Sequence, residues 1–299
     1  MDRPSSYHAL VAYAGAAGET VELWRTAAGF LLAWLTGLIL YQMVIGFLVA
    51  LLGQTNAYSM MDEVSHLAGT PRAVLFRLLS FSVFAVGLAM AVTTLHDRAF
   101  RSLLGPSSVA MSDALRVVVW VGGVFLVMSL VAPYDGAARN PDLSTRIWVA
   151  LLPLALIAII VQASTEELVF RGYLLQQLAA RFPGVPAWMG VPALLFGLAH
   201  WSPDTAGDNA LLFLVWAFVF GVAAADLTAR TGTIGAAIGF HVANNAFAVL
   251  AVSLPGPGAG LALYHLGITA ADPGVAALMP VEFVTLFVAW LAARVAIRA

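Results

Sequence analysis

Leu154-Ala-Leu-Ile-Ala-Ile-Ile-Val161 leads, within a few residues, to Ser164-Thr165-Glu166-Glu167. An apolar run of this kind reads as the middle of a membrane-spanning helix. Two adjacent glutamates at its end are costly there. A charge at the bilayer centre costs about 2.5–3.5 kcal/mol on insertion scales, so ionisable groups in such places mark function by default. Arg171, His200, His241 and Asn245 follow downstream as further polar residues within or beside apolar stretches.

The composition agrees. Of 299 residues, 61% are hydrophobic and 10% are charged, where a soluble domain carries about 25% charged residues. The mean hydropathy is +0.91. The chain is therefore expected to be an all-α integral membrane protein. All 14 basic residues are arginine, a compositional bias of the kind a GC-rich bacterial genome imposes. With no cysteine, disulfides, thiolate metal sites and a cysteine nucleophile are excluded. The net charge of −2 calls for no nucleic-acid partner.

Stretches able to cross or nearly cross the bilayer fall at 26–52, 73–95, 115–133, 147–170, 186–201, 210–228, 233–254 and 276–295. Eight helices in a bundle with a polar cavity at mid-membrane are expected, because helices satisfy their own backbone groups in lipid. The span at 186–201 is the shortest and carries Pro192. Residues 1–25 mix Asp2, Arg3, His8, Glu19, Glu22 and Arg25 with short apolar stretches. They lack a signal-peptide pattern and are expected to form a cytoplasmic N-terminal segment ahead of a polytopic domain over 26–299. Eight spans would put ten arginines on the side of the termini and four (Arg72, Arg77, Arg139 and Arg146) on the other. The positive-inside rule then makes both termini cytoplasmic, in a bacterial inner membrane.

Spacing groups the polar residues. Glu167 and Arg171 are i, i+4 and can pair on one helix face. Phe196 and His200 share that spacing on the fifth span, as do His241 and Asn245 on the seventh, with Asn244 beside them. Phe182-Pro183-Gly184 is a turn signal. Glu167 lies 16 residues before Pro183 and His200 lies 16 after Gly184, so both stand about 24 Å from that turn. This register needs helix four to continue as a partly exposed extension to Arg181. His241, nine residues after Gly232, reaches about 14 Å from its own turn. The two hairpins meet at one level if the first projects about 10 Å into the cytoplasm.

A carboxylate, two imidazoles and an amide in a dry cavity suit hydrolysis by activated water. Glu166 or Glu167 would deprotonate the water, His200 would hold or polarise it, and His241 with Asn245 would donate to the oxyanion. Zinc held by two histidines and a glutamate is the competing mechanism. His-Glu-x-x-His is absent, which weighs against that site.

Glu166-Glu167-x-x-x-Arg171, Phe196-x-x-x-His200 and His241-x-x-x-Asn245, in this order on membrane helices, resemble the three-part signature of the CAAX protease and bacteriocin-processing (CPBP, or Abi) family. The resemblance covers about 166–250 and sets a catalytic core at 147–254. It implies a metal-independent, glutamate-dependent intramembrane endopeptidase with no cofactor, acting on a membrane-tethered or hydrophobic peptide. That substrate would be of prenylated CAAX type or of leader or bacteriocin type. By the same resemblance Glu166 is the principal base and His200 is essential. His241 and Asn245 form the oxyanion site, and Glu167 with Arg171 supports the structure. Phe196 reads as packing around the site. A silent scaffold or immunity protein of the same fold, or a proton-coupled transporter, are the rival functions. The crowding of polar residues into the second half argues against the transporter, whose repeats usually bear sites in both halves.

Asp226 and Arg230 read as a boundary ion pair, and Gly235-x-x-x-Gly239 as a close-packing helix face. Asn244 reads as interhelical glue. Trp188 and Trp201 read as interfacial anchors and Glu282 as an interfacial carboxylate. His66, His96 and His265 lie in or near loops and carry no assigned role.

Overall fold

A computed structural model describes residues 5–64, 69–131, 136–256 and 258–298. Asp2, Arg3 and His66 lie outside the described residues. A short helix α1 (His8–Gly15) precedes α2 (Leu23–Leu52) and α3 (Gln54–Asp62). The rod formed by α4 (Pro71–Ser80) and α5 (Ser82–His96) is followed by α6 (Ser107–Val131). Next, α7 (Thr145–Glu167) passes through a wide π-helical turn at Leu168–Leu174 into α8 (Leu175–Arg181). A second wide turn, Pro186–Gly190, opens α9 (Val191–Ala199), and α10 (Pro203–Ala206) leads to α11 (Ala210–Thr231). The chain ends with α12 (Gly235–Ala246), prolonged by a wide turn at Phe247–Ala251, and α13 (Val275–Ala296).

Six helices are long and apolar enough to cross a membrane, and two shorter apolar ones run from Pro186 to Ala199 and from Gly235 to Ala251. These two fall at the fifth and seventh expected spans. At 1.5 Å per residue they reach only about 21 and 26 Å, short of the roughly 30 Å hydrocarbon layer. Eight full-length spans are thus not present among the described residues. Short helices are tolerated at this depth because α9 packs on α11 and α12 packs on α6, α7 and α11, which keeps their ends in protein rather than lipid.

The helices are built for lipid outside and small residues inside. On α2 every fourth residue from Leu31 to Leu51 (Leu31, Leu35, Ile39, Met43, Phe47, Leu51) is exposed, while Gly29, Ala33 and Gly37 are buried. Without a hydrophobic drive between helices in lipid, close contact through small residues is what holds them. Gly235 and Gly239 meet Ala110 and Ala114 of α6 so tightly that an added Cβ would stand 1.9 and 2.4 Å from their carbonyl oxygens. The expected small-residue face is therefore a real helix contact. Gly232 ends α11 with φ +66° against Ala9, a conformation and a contact that both favour glycine.

The extension of helix four forms but is buried, contrary to the expected partial exposure. Tyr173, Leu175, Gln176 and Gln177 are all sealed from outside. The N-terminal segment covers them. Tyr13 donates its hydroxyl to the carbonyls of Leu103 (2.6 Å) and Arg171 (3.2 Å), and burial pushes its phenol far above the usual range. Gln176 Nε2 donates to the carbonyls of Tyr13 and Ser102. His96 is buried as well, with Nε2 2.8 Å from the Tyr173 hydroxyl and Nδ1 2.9 Å from the Thr20 carbonyl. Its position at a helix end conceals this hub role. Trp188 is fully buried rather than interfacial, with Tyr7 edge-on at 5.5 Å; Trp201 is exposed.

At one end, the two-residue strands β1 (Ala138–Arg139), β2 (Val252–Ser253) and β3 (Tyr264–His265) join the loops in the order β1-β3-β2. Ala138 faces His265 in the antiparallel pair, and Val252 faces Tyr264 in the parallel one. The Asp226–Arg230 pair is present at 2.9 Å, and Asp226 also accepts from Tyr7 and Trp290.

Candidate active site

The last turn of α7 places its two glutamates in different surroundings. Glu167 has no exposed surface, and its Oε1 accepts from Arg171 Nη1 at 2.9 Å and is 2.7 Å from His241 Nδ1. A carboxylate oxygen can only accept, so Nδ1 of His241 carries the hydrogen. The Arg171 guanidinium lies over the Phe196 ring, 4.6 Å from its centre, so an aromatic face covers a charge that water cannot reach. A buried pair of this kind holds only when its geometry is good and its remaining groups are shielded.

Glu166 makes no hydrogen bond among the described residues. Its Oε2 is buried without a partner and stands 3.7 Å from His241 Nε2, beyond hydrogen-bond reach. The side chain borders a cavity of about 350 Å³ that it shares with Thr165, Phe170 and His200, opposite Phe30 and Trp34 of α2 and Phe84 of α5. Since α2 packs on α5 while α9 packs on α11, the cavity lies between two separately paired helices. The lining is mostly apolar, with Thr165, Glu166 and His200 as its polar points.

His200 caps α9 and is exposed. Its Nδ1 is 2.8 Å from the Phe196 carbonyl. That carbonyl can only accept, so the hydrogen sits on Nδ1 and the neutral ring keeps its lone pair on Nε2. Phe196 is the spacer of the site. Its centroid is 4.5 Å from the ring of His200, 5.1 Å from Phe170 and 6.0 Å from His241. On α12, Asn245 Nδ2 donates to Gln162 Oε1 at 2.8 Å, and Asn244 donates to Asn245 Oδ1 at 3.2 Å.

A family model described as type II CAAX prenyl endopeptidase, Rce1-like, matches residues 148–247. The uncharacterized protein YyaK of Bacillus subtilis is 30% identical over 237 residues, covering 75% of this chain and 76% of its own length. The chain belongs to the Rce1-like CAAX endopeptidase family. No solved structure matches it. Membership makes it, at the level of the family, an integral membrane protein of CAAX protease type.

In this Rce1-like chain the matched segment holds every polar residue singled out from the sequence, while α2 and α5, which wall the cavity, lie outside it. The fold gathers Glu166, Glu167, Arg171, Phe196, His200 and His241 into one cluster. Asn245 joins through Gln162 and, like His241, does not border the Glu166 cavity. Gln162 is the residue that sequence reasoning missed. Its signal was available, as a buried amide one turn before Glu166 at i, i+4. Wide turns follow both helices that carry the cluster, at 168–174 after Glu167 and at 247–251 after Asn245, and such turns are frequent at functional sites. Among the described residues no three His, Asp or Glu side chains gather in a metal-binding arrangement.

Proposed function

We propose that this Rce1-like chain is an intramembrane endopeptidase that cleaves a membrane-tethered peptide, of prenylated CAAX or leader type, by glutamate-activated water without a metal. The observation that carries this reading is Glu166: a carboxylate with no hydrogen bond, on a cavity shared with His200. Glu166 takes a proton from water as the water oxygen bonds to the scissile carbonyl carbon. His200 Nε2, with its lone pair set by the Phe196 bond, accepts the second water hydrogen and orients the attack. Donors for the oxyanion are the second N–H of Asn245 Nδ2 and, in the doubly protonated ring, His241 Nε2–H. As the C–N bond breaks, Glu166 returns its proton to the leaving amine. The cavity between the α2–α5 and α9–α11 pairs admits the substrate from the bilayer. Both termini face the cytoplasm of a bacterial inner membrane, in keeping with the arginine distribution.

The test is cleavage of quenched, membrane-anchored peptides, with and without a farnesyl group, by wild type, Glu166→Gln and His200→Ala, each with and without a chelator. Glu166→Gln is expected to lower kcat/KM by about 10²–10⁴-fold, the usual contribution of a general base, and chelation to leave the wild type active. Loss of wild-type cleavage on chelation would overturn the metal-free mechanism. Flux of a solute in liposomes without cleavage would overturn the enzyme itself.

A further inference from the structure

A second polar cavity lies at the opposite side of Phe247 from the α6–α7 groove, near the end of the bundle where α13 begins. It holds about 370 Å³ and is bordered by Thr205, Trp216, Phe247, Ser253, Met279 and Glu282 among others. That volume is in the range of small-molecule sites and far above what one water needs. Glu282 was expected at the membrane interface; instead it faces this interior space. It lies seven residues into α13, about 10 Å below the helix end. No hydrogen bond or ion pair joins it to any described residue. Trp216 contributes a second unsatisfied group. Its indole N–H is buried with no acceptor, although buried indoles usually find one.

The cavity therefore offers one carboxylate that needs a donor and one N–H that needs an acceptor, on walls that are otherwise largely apolar. A bare cation would answer Glu282 and leave Trp216 unmet; an anion would do the reverse. We propose that this cavity binds a small zwitterion, a primary ammonium seated on Glu282 with a linked anionic oxygen accepting from Trp216 Nε1. In a bilayer the phosphoethanolamine headgroup of phosphatidylethanolamine has this chemistry; soluble phosphoethanolamine shares it. Ammonium on carboxylate is a charge-assisted bond with three donors available, and a quaternary ammonium has none. The site is separate from the Glu166 cavity and independent of the proposed hydrolysis. The loop and wide turn that follow Asn245 (Phe247, Ala248 and Val252) form part of its wall, so its occupant touches the segment that ends α12.

The experiment uses the full chain in phosphatidylcholine nanodiscs. Native mass spectrometry and melting temperature are followed while phosphatidylethanolamine, its N-methylated and N,N-dimethylated forms, or soluble phosphoethanolamine is added. Wild type is expected to retain phosphatidylethanolamine over phosphatidylcholine, with retention falling as N–H groups are replaced. Glu282→Gln should reduce the preference about tenfold, the scale of one charge-assisted bond, and Trp216→Phe should reduce it by less. Stabilisation by the soluble compound to the same degree as by the lipid would assign the site to a soluble zwitterion, and stabilisation by the lipid alone to the headgroup. Equal retention of all N-methylated forms by wild type would overturn the proposal even if Glu282→Gln failed to fold. An unchanged preference in folded Glu282→Gln would overturn it as well.

Discussion

The helix from Thr145 to Arg181 has a sealed face and an open one. On the sealed face, Glu167, Tyr173, Gln176 and Gln177 reach partners on α1, α5, α12 and the 100–103 turn. On the open face, Thr165 and Glu166 border a cavity, with His200 across from them, and Glu166 has no hydrogen bond. Adjacent residues of identical chemistry thus stand in opposite conditions. Bonded polarity in a low-dielectric interior fixes geometry, because each partner would be costly to strand. Unbonded polarity beside a cavity is free to act on something else, and the bonded face supplies the rigidity it acts from.

The comparison breaks most visibly on the sealed face. Glu167→Gln leaves Arg171 and the His241 ring without their shared carboxylate and is expected to cost about 3–5 kcal/mol of stability, read by denaturant unfolding in detergent. Little change would mean that Glu167 is not the anchor. Gly235→Ala drives a Cβ into the Ala110 carbonyl and should cost about 1–3 kcal/mol, checked in the same way. Tyr13→Phe removes the hydroxyl bonds to Leu103 and Arg171 and should cost about 0.5–1.5 kcal/mol. Proteolysis of the N-terminal segment should quicken in parallel.

The smallest effect concerns pH. Burial and the bond to Asp226 push the Tyr7 phenol up to about 12, above the ordinary value near 10 that it has in the unfolded chain. The folded state then holds this proton more tightly. Its stabilising share is complete below pH 10 and is lost as pH climbs through about 12. The difference in stability between wild type and Tyr7→Phe should accordingly shrink over that window.

Much of this was legible in the sequence, because hydropathy and helical spacing are local. All eight apolar stretches are helical, and i, i+4 spacing brought Glu167 to Arg171 and Asp226 to Arg230. The turn at Phe182-Pro183-Gly184 and the glycine face of α12 were legible for the same reason. What escaped depends on tertiary cover. Residues 8–20 look like a polar tail, so nothing local reveals that they cap the extension and seal Trp188 and His96. Glu282 beside Pro280 looks interfacial until the loops over 252–256 are seen to close a cavity around it. Gln162 hides as one amide in an apolar run, and its bond to Asn245 spans 83 residues.

The division of labour between the two glutamates is tested most directly by Glu166→Gln, with turnover of an anchored peptide and melting temperature measured on one preparation. Turnover should fall about 10²–10⁴-fold while the melting temperature stays at the wild-type value, because Glu166 gives up no hydrogen bond. Wild-type turnover, or a melting temperature that collapses as in Glu167→Gln, would contradict the assignment of chemistry to the open face.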